Sequence, residues 1–301
     1  MKVLPSLKKL FLAAALTIAT PIAAWAGMKP FILGSGVADV PAAEAALTSA
    51  GFEIVGTYSP SADTTVLVVT NDKLKALAGQ SKNGGFGAME RVALVKKGGG
   101  MEVSYTNPEY QFNAYRMKGD ISPIAAAMAK ALGNQKQFGS DKEMDADDLR
   151  DYHYKMLMPY FDYEDELASF GSYKEAVASV EAGLKAKRAG SEKVYRIDIP
   201  GKEMTVFGVA LNYKNASDKF ILEQINKNPS HAAHFPYEIL VVGDEAIALN
   251  AKFRIAINWP SLSMMGSGSF MSISASPDEI KEALKAVATN SKAGSGSDSD
   301  F

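Results

Sequence analysis

Two of the three histidines in this chain stand three apart, His231 and His234 in the run H-A-A-H. On a helical turn both imidazoles can reach one ion, whereas on an extended segment they diverge. Thirty residues on, "SLSMMGSGSFM", Ser261 to Met271, supplies the thioethers of Met264, Met265 and Met271. Imidazole with thioether suits copper, so His231, His234, Met264, Met265 and Met271 form the candidate metal set. Two imidazoles without a cysteine fall short of the three or four ligands zinc takes. Methionine is also the pliable filler of irregular cores. That second role fits a packed flap better, with Gly266 and Gly268 turning the backbone before Phe270 re-enters the core. The expectation is therefore a flap and no cofactor, with copper as the alternative.

The aromatic residues suggest binding. Tyr152, Tyr154, Tyr160, Phe161 and Tyr163 crowd one segment, and Phe235, Tyr237 and Trp259 mark a later one. Tyrosine and tryptophan join apolar area to a polar tip, which serves domain packing and small-ligand pockets equally. A pocket between domains would be lined by Tyr152, Tyr154, Tyr160, Phe235 and Trp259. Catalytic templates are missing: the sequence has no G-x-S-x-G elbow, no H-E-x-x-H, no phosphate loop and no dinucleotide fingerprint. The acids of "DADD" and "DYEDE" read as solvated faces or helix starts. No catalytic residue is assigned. A small-ligand-binding or protein-interaction module is the leading expectation, and a hydrolase using scattered acids or serines is its rival.

The elements that must position these residues come in two similar series. A short apolar segment, "FILGSG", precedes a helix punctuated by Pro41 and Gly51. Strands "FEIVGTY" and "TTVLVVT" follow, then a helix capped by Asn71 or Asp72. "RVALV" and "MEVSYT" make a hairpin, and Ser122-Pro123 opens a last helix. The second series runs "ASFGS", a helix with a capping box from Ser172 to Glu175, strands "KVYRIDI" and "MTVFGVAL", and the helix "SDKFILEQINK". A hairpin "YEILVV"–"AIALNA" comes next, "FRIAI" extends the sheet, and a helix opens at Ser276-Pro277 with Glu279 completing a capping box. "NWPSL" aligns with "TNPEY", which puts the methionine segment opposite "EYQFNAYRMKGD". Between the series, either Ser140 and Glu143 form a capping box or Asp145 caps a docking helix that begins at Ala146 and stops near Met158, with Leu149, His153 and Met156 on one face.

"AALTSAGFEIVGTYS" with "RVALV…MEVSYTNPEY", and "SYKEAVASVEAGLK" with "HFPYEILVV", resemble the domain of unknown function 302 (DUF302) family. The resemblance covers about 100 residues in each half. It implies an α+β fold of two similar domains, each a curved antiparallel sheet with helices packed on one face, and it implies no established chemistry. The layout expected is 27–139 for the first domain, 140–165 for a helical linker, 166–290 for the second domain and 291–301 for a polar tail.

Residues 1–26 read as a secretory signal: Lys2, Lys8 and Lys9 precede a short apolar run that ends at "AWA". The run is too short for a membrane span, so export with cleavage after Ala26, to the periplasm or beyond, is expected, with no stable membrane insertion. The remainder carries 29 basic and 34 acidic residues, a net charge of −5 that offers no footprint for nucleic acid. The chain has no cysteine, which excludes disulfides and thiolate chemistry. The expected partner is a small molecule or another exported protein, and self-association stays open.

Overall fold

The computed structural model describes residues 27–294. The expected signal segment lies outside the described residues, as does the expected tail from 295 onward.

The first half runs β1 (Phe31–Leu33), α1 (Val40–Ser49), β2 (Glu53–Ser61), β3 (Thr64–Thr70), α2 (Asp72–Ala78), β4 (Glu90–Lys97), β5 (Gly100–Thr106), α3 (Pro108–Ala114), α4 (Ser122–Leu132) and β6 (Lys136–Phe138). The linker holds α5 (Ala146–Arg150). The second half runs β7 (Asp165–Ser169), α6 (Tyr173–Lys185), β8 (Glu192–Asp198), β9 (Met204–Ala210), α7 (Asp218–Ile225), β10 (Tyr237–Val242), β11 (Glu245–Ala248), α8 (Ala251–Asn258) and α9 (Ser276–Ala288). The two sheets have the same strand order, β2-β3-β4-β5-β1 and β8-β9-β10-β11-β7, and β6 is an added edge strand on the first. All pairings are antiparallel. The expected α+β architecture is thus observed.

Local chemistry explains most boundaries. Asp39, Asn71 and Ser172 each accept a backbone N–H of the first helical turn, starting α1, α2 and α6. Helices α1 and α4 pack together over the first sheet, and α6 and α9 over the second. The other half closes the opposite faces. The 3-10 turn Gly84–Gly87 lies on β9 and β10, and the matching turn Ala232–His234 lies on β3, β4 and β5. This reciprocal contact buries β4 and β10 on both faces, so they read as continuous apolar runs rather than alternating ones. Edge strands β2 and β8 meet where each is bulged, near Val55 and Val194. A Cβ on Gly56 would stand 2.7 Å from the Val194 carbonyl oxygen, so only glycine permits that approach.

Four local expectations are corrected. "FRIAI" belongs to helix α8 and not to the sheet: Asn250 caps it through the Lys252 N–H at 3.0 Å. Seven of its eight residues are buried, which removes the amphipathic period that distinguishes helix from strand. Its counterpart is α3, so "NPEYQFNA" matches "NAKFRIAIN", and the methionine segment becomes an addition after α8. The linker helix stops at Arg150, because Arg116 Nε takes the Arg150 carbonyl at 2.6 Å, and Leu157 adopts φ +69° before Pro159. Leu149 is buried while Met156 projects into solvent, so the expected common face ends with the helix. Glu279 closes no capping box, since its carboxylate binds the Asn215 N–H at 2.6 Å and Asn215 Nδ2 at 3.2 Å.

Candidate functional site

The halves are joined through a buried charged cluster. Arg91 on β4 and Glu238 on β10 occupy equivalent second positions in their strands, and they form an ion pair across the junction. Arg254, from α8, grips the same carboxylate through Nε to Oε2 at 2.9 Å and Nη2 to Oε1 at 3.0 Å. Its Nη2 also donates to the carbonyls of His234 and Pro236, at 2.7 and 2.5 Å. Arg254 Nη1 approaches His234 Nε2 at 2.9 Å, and the Tyr237 hydroxyl is 3.0 Å from the same nitrogen. A guanidinium only donates, so His234 accepts there as a neutral imidazole. Side-chain exposures of 3% for Arg91, 2% for Arg254 and 1% for Glu238 make this a dry cluster.

Burial governs the titrations. It holds His234 well below the usual histidine range, helped by the positive fields of Arg254 and Arg91. It pushes Glu90 up to about 8, although the Thr106 hydroxyl and Arg91 oppose the shift. Asp218, at the start of α7, is likewise raised to about 8 by burial, against the Leu211 N–H and Arg254. Two guanidiniums therefore meet on the single Glu238 carboxylate. Its burial on every side makes the cluster a clamp between the halves.

A partly open apolar pocket lies next door. Helix α8 contributes Lys252, Ile255 and Ala256, Trp259 follows it, and Tyr154 and Met158 descend from the linker. Leu262, Met264 and Phe270 of the methionine segment complete a cavity of about 140 Å³. Trp259 is fixed by Nε1 donating to the Ile225 carbonyl at 3.0 Å. The linker straps the site, with Tyr154 Oη donating to Leu262 O at 2.8 Å and Tyr152 Oη to Ala256 O at 3.2 Å. The methionine segment folds back on itself: Phe270 N–H donates to Ser263 O at 2.8 Å, and Gly266 and Gly268 turn at φ +101° and +65°. Lys252 is the one charged residue in the lining, and its ammonium has no ion-pair partner among the described residues.

Of the five aromatic candidates, Tyr154 and Trp259 line this cavity, and Tyr152 packs behind it against Phe253. Tyr160 stacks elsewhere with His153 and Tyr163, and Phe235 is buried against His234 and Tyr237. Among the metal candidates, His231 donates Nδ1–H to Asn258 O at 3.0 Å and stacks on Trp259, while His234 faces Arg254. Met264 borders the cavity, and Met265, 78% exposed, points away with Met271. Sequence reasoning missed Arg91, Glu238 and Arg254. For Arg91 and Glu238 the signal was a charge of opposite sign at the same place in each copy of an apolar strand, and for Arg254 the sequence held none. No protein-family model, curated protein or solved structure matches this chain.

Proposed function

We propose that this is an exported protein that binds a small apolar ligand without catalysis, between linker, α8 and the methionine segment. We propose also that its halves are two DUF302-like domains. Their common strand order supports that reading, beside the sequence resemblance.

The apolar cavity carries the functional reading. Cavities of about 150 Å³ lined by apolar side chains stay dry and take benzene-sized guests. Here the lining is similar in size and chemistry, and one wall is a loop closed largely by its own hydrogen bonds. Such a loop opens at small cost, giving a ligand a way in. The cavity holds no nucleophile paired with a base, so binding without turnover fits it better than hydrolysis.

Toluene is a suitable probe. At about 100 times its dissociation constant it should stabilise the protein by about 2.7 kcal/mol. Ala256→Leu, which fills the cavity from α8, should abolish that gain. A toluene effect that is absent, or equal in the variant, refutes the proposal.

A further inference from the structure

A second concavity, of about 500 Å³, opens where β6 faces the loops around Lys227 and Ser261. It borrows Trp259 and Leu262 from the apolar site as a back wall, but its own lining is polar. Lys29 arrives just before β1, Lys136 from β6 and Lys227 from beyond α7, so three segments of both halves bring lysines to the lining of one cleft. None of the three has an ion-pair partner among the described residues, and Asp141 is the one carboxylate in the lining. Isolated surface lysines mean little, but three unpaired ones around a single concavity raise the local potential for anions.

The base of the cleft adds an independent observation. His231 is 3% exposed, wedged against Trp259, Phe31 and Phe138. Its Nδ1 is committed to the Asn258 carbonyl, which fixes the tautomer and leaves Nε2 as a lone-pair acceptor. Nε2 has no partner in the structure, yet it is not among the sealed unsatisfied atoms. Burial, with Lys227 nearby, lowers this histidine to about 4, so it stays neutral at physiological pH. The cleft thus asks for two things together: negative charge for the lysines, and a donated proton for His231. A carboxylate supplies only the first, because once ionised it only accepts.

We infer that this cleft binds a phosphate that retains a proton, either free hydrogen phosphate or the head of a singly protonated phosphate ester. Lysine suits such a site, since a compact ammonium contacts phosphate as a point charge. The ligand is distinct from the apolar guest proposed above, and the two sites stand or fall separately.

Calorimetric titration of the full chain with inorganic phosphate at pH 7 and low salt tests the inference. One saturable site is expected. Lys136→Gln and Lys227→Gln are exposed changes that leave the fold intact, and each should weaken binding by about fivefold. Sulfate has the same shape and charge but no proton at this pH, so it should bind about tenfold more weakly. Glycerol phosphate separates an ester from the free ion, and binding of either upholds the site. The inference is overturned by no saturable heat, by unchanged affinity in the Lys136→Gln/Lys227→Gln double variant, or by sulfate equal to phosphate.

Discussion

Removing the shared carboxylate of the clamp, by Glu238→Gln, is the sharpest perturbation of the architecture. The change keeps the shape of the side chain, but it leaves Arg91 and Arg254 side by side with no counter-charge. Gln also places an amide N–H₂ where one carboxylate oxygen had accepted guanidinium protons. Two unit charges about 4 Å apart at an effective dielectric near 20 interact by about 4 kcal/mol, so losing this attraction and exposing the repulsion are large effects. Breaking a buried pair in this way costs about 3–5 kcal/mol. With a urea slope of about 3 kcal/mol per molar, the midpoint should fall by about 1–1.7 M. Arg91→Met should cost less, about 1–2 kcal/mol, because Arg254 keeps the carboxylate with two hydrogen bonds and one like charge is gone. Urea unfolding followed by tryptophan fluorescence measures both. If Arg91→Met costs as much as Glu238→Gln, or if Glu238→Gln shifts the midpoint by less than about 0.3 M, the clamp reasoning fails.

Glu90 and Asp218 predict a pH dependence. Their folded values near 8 lie above the ordinary 4.5 and 3.8, so the folded state holds two protons that the unfolded chain has released. Stability is therefore greatest on the acid side of this window and falls as pH rises through it. His231 acts in the opposite sense, but its window ends near 6.5. Raising the pH from 7 to 8.5 should cost about 2 kcal/mol in the urea assay, and Glu90→Gln should remove about half of that. A flat profile would refute the assignment. Gly56→Ala drives a Cβ against a backbone oxygen that cannot rotate away, and should cost about 1–3 kcal/mol in thermal unfolding. A neutral outcome would mean that the β2–β8 contact is looser than described.

Much of the fold was legible because its signals are local. Asn71, Ser172 and Asp145 cap helices by short side-chain geometry, and the paired strands are bounded by turn residues. What escaped depends on contacts distant in sequence. Helix α8 is buried nearly all round, so its apolar run carries no period, and the linker helix is cut short by an arginine 34 residues upstream. The site was partly legible. Tyr154 and Trp259 stand out by type, but the cavity also needs Ile255, Ala256 and Leu262, which nothing in the sequence separates from ordinary core. Arg91 and Glu238 lie 147 residues apart, and only the reciprocal docking of the halves brings them together.

Methyl NMR on protein carrying ¹³C-methyl methionine tests the central claim most directly, because Met158 and Met264 line the proposed cavity while Met128 is buried in α4 of the other half. On titration with toluene, the Met158 and Met264 methyls should shift saturably. Met128, packed in the core of α4, should not move, and the Met158 and Met264 shifts should vanish in Ala256→Leu. Unmoved Met158 and Met264 methyls, or shifts that persist unchanged in Ala256→Leu, would contradict ligand binding at this site.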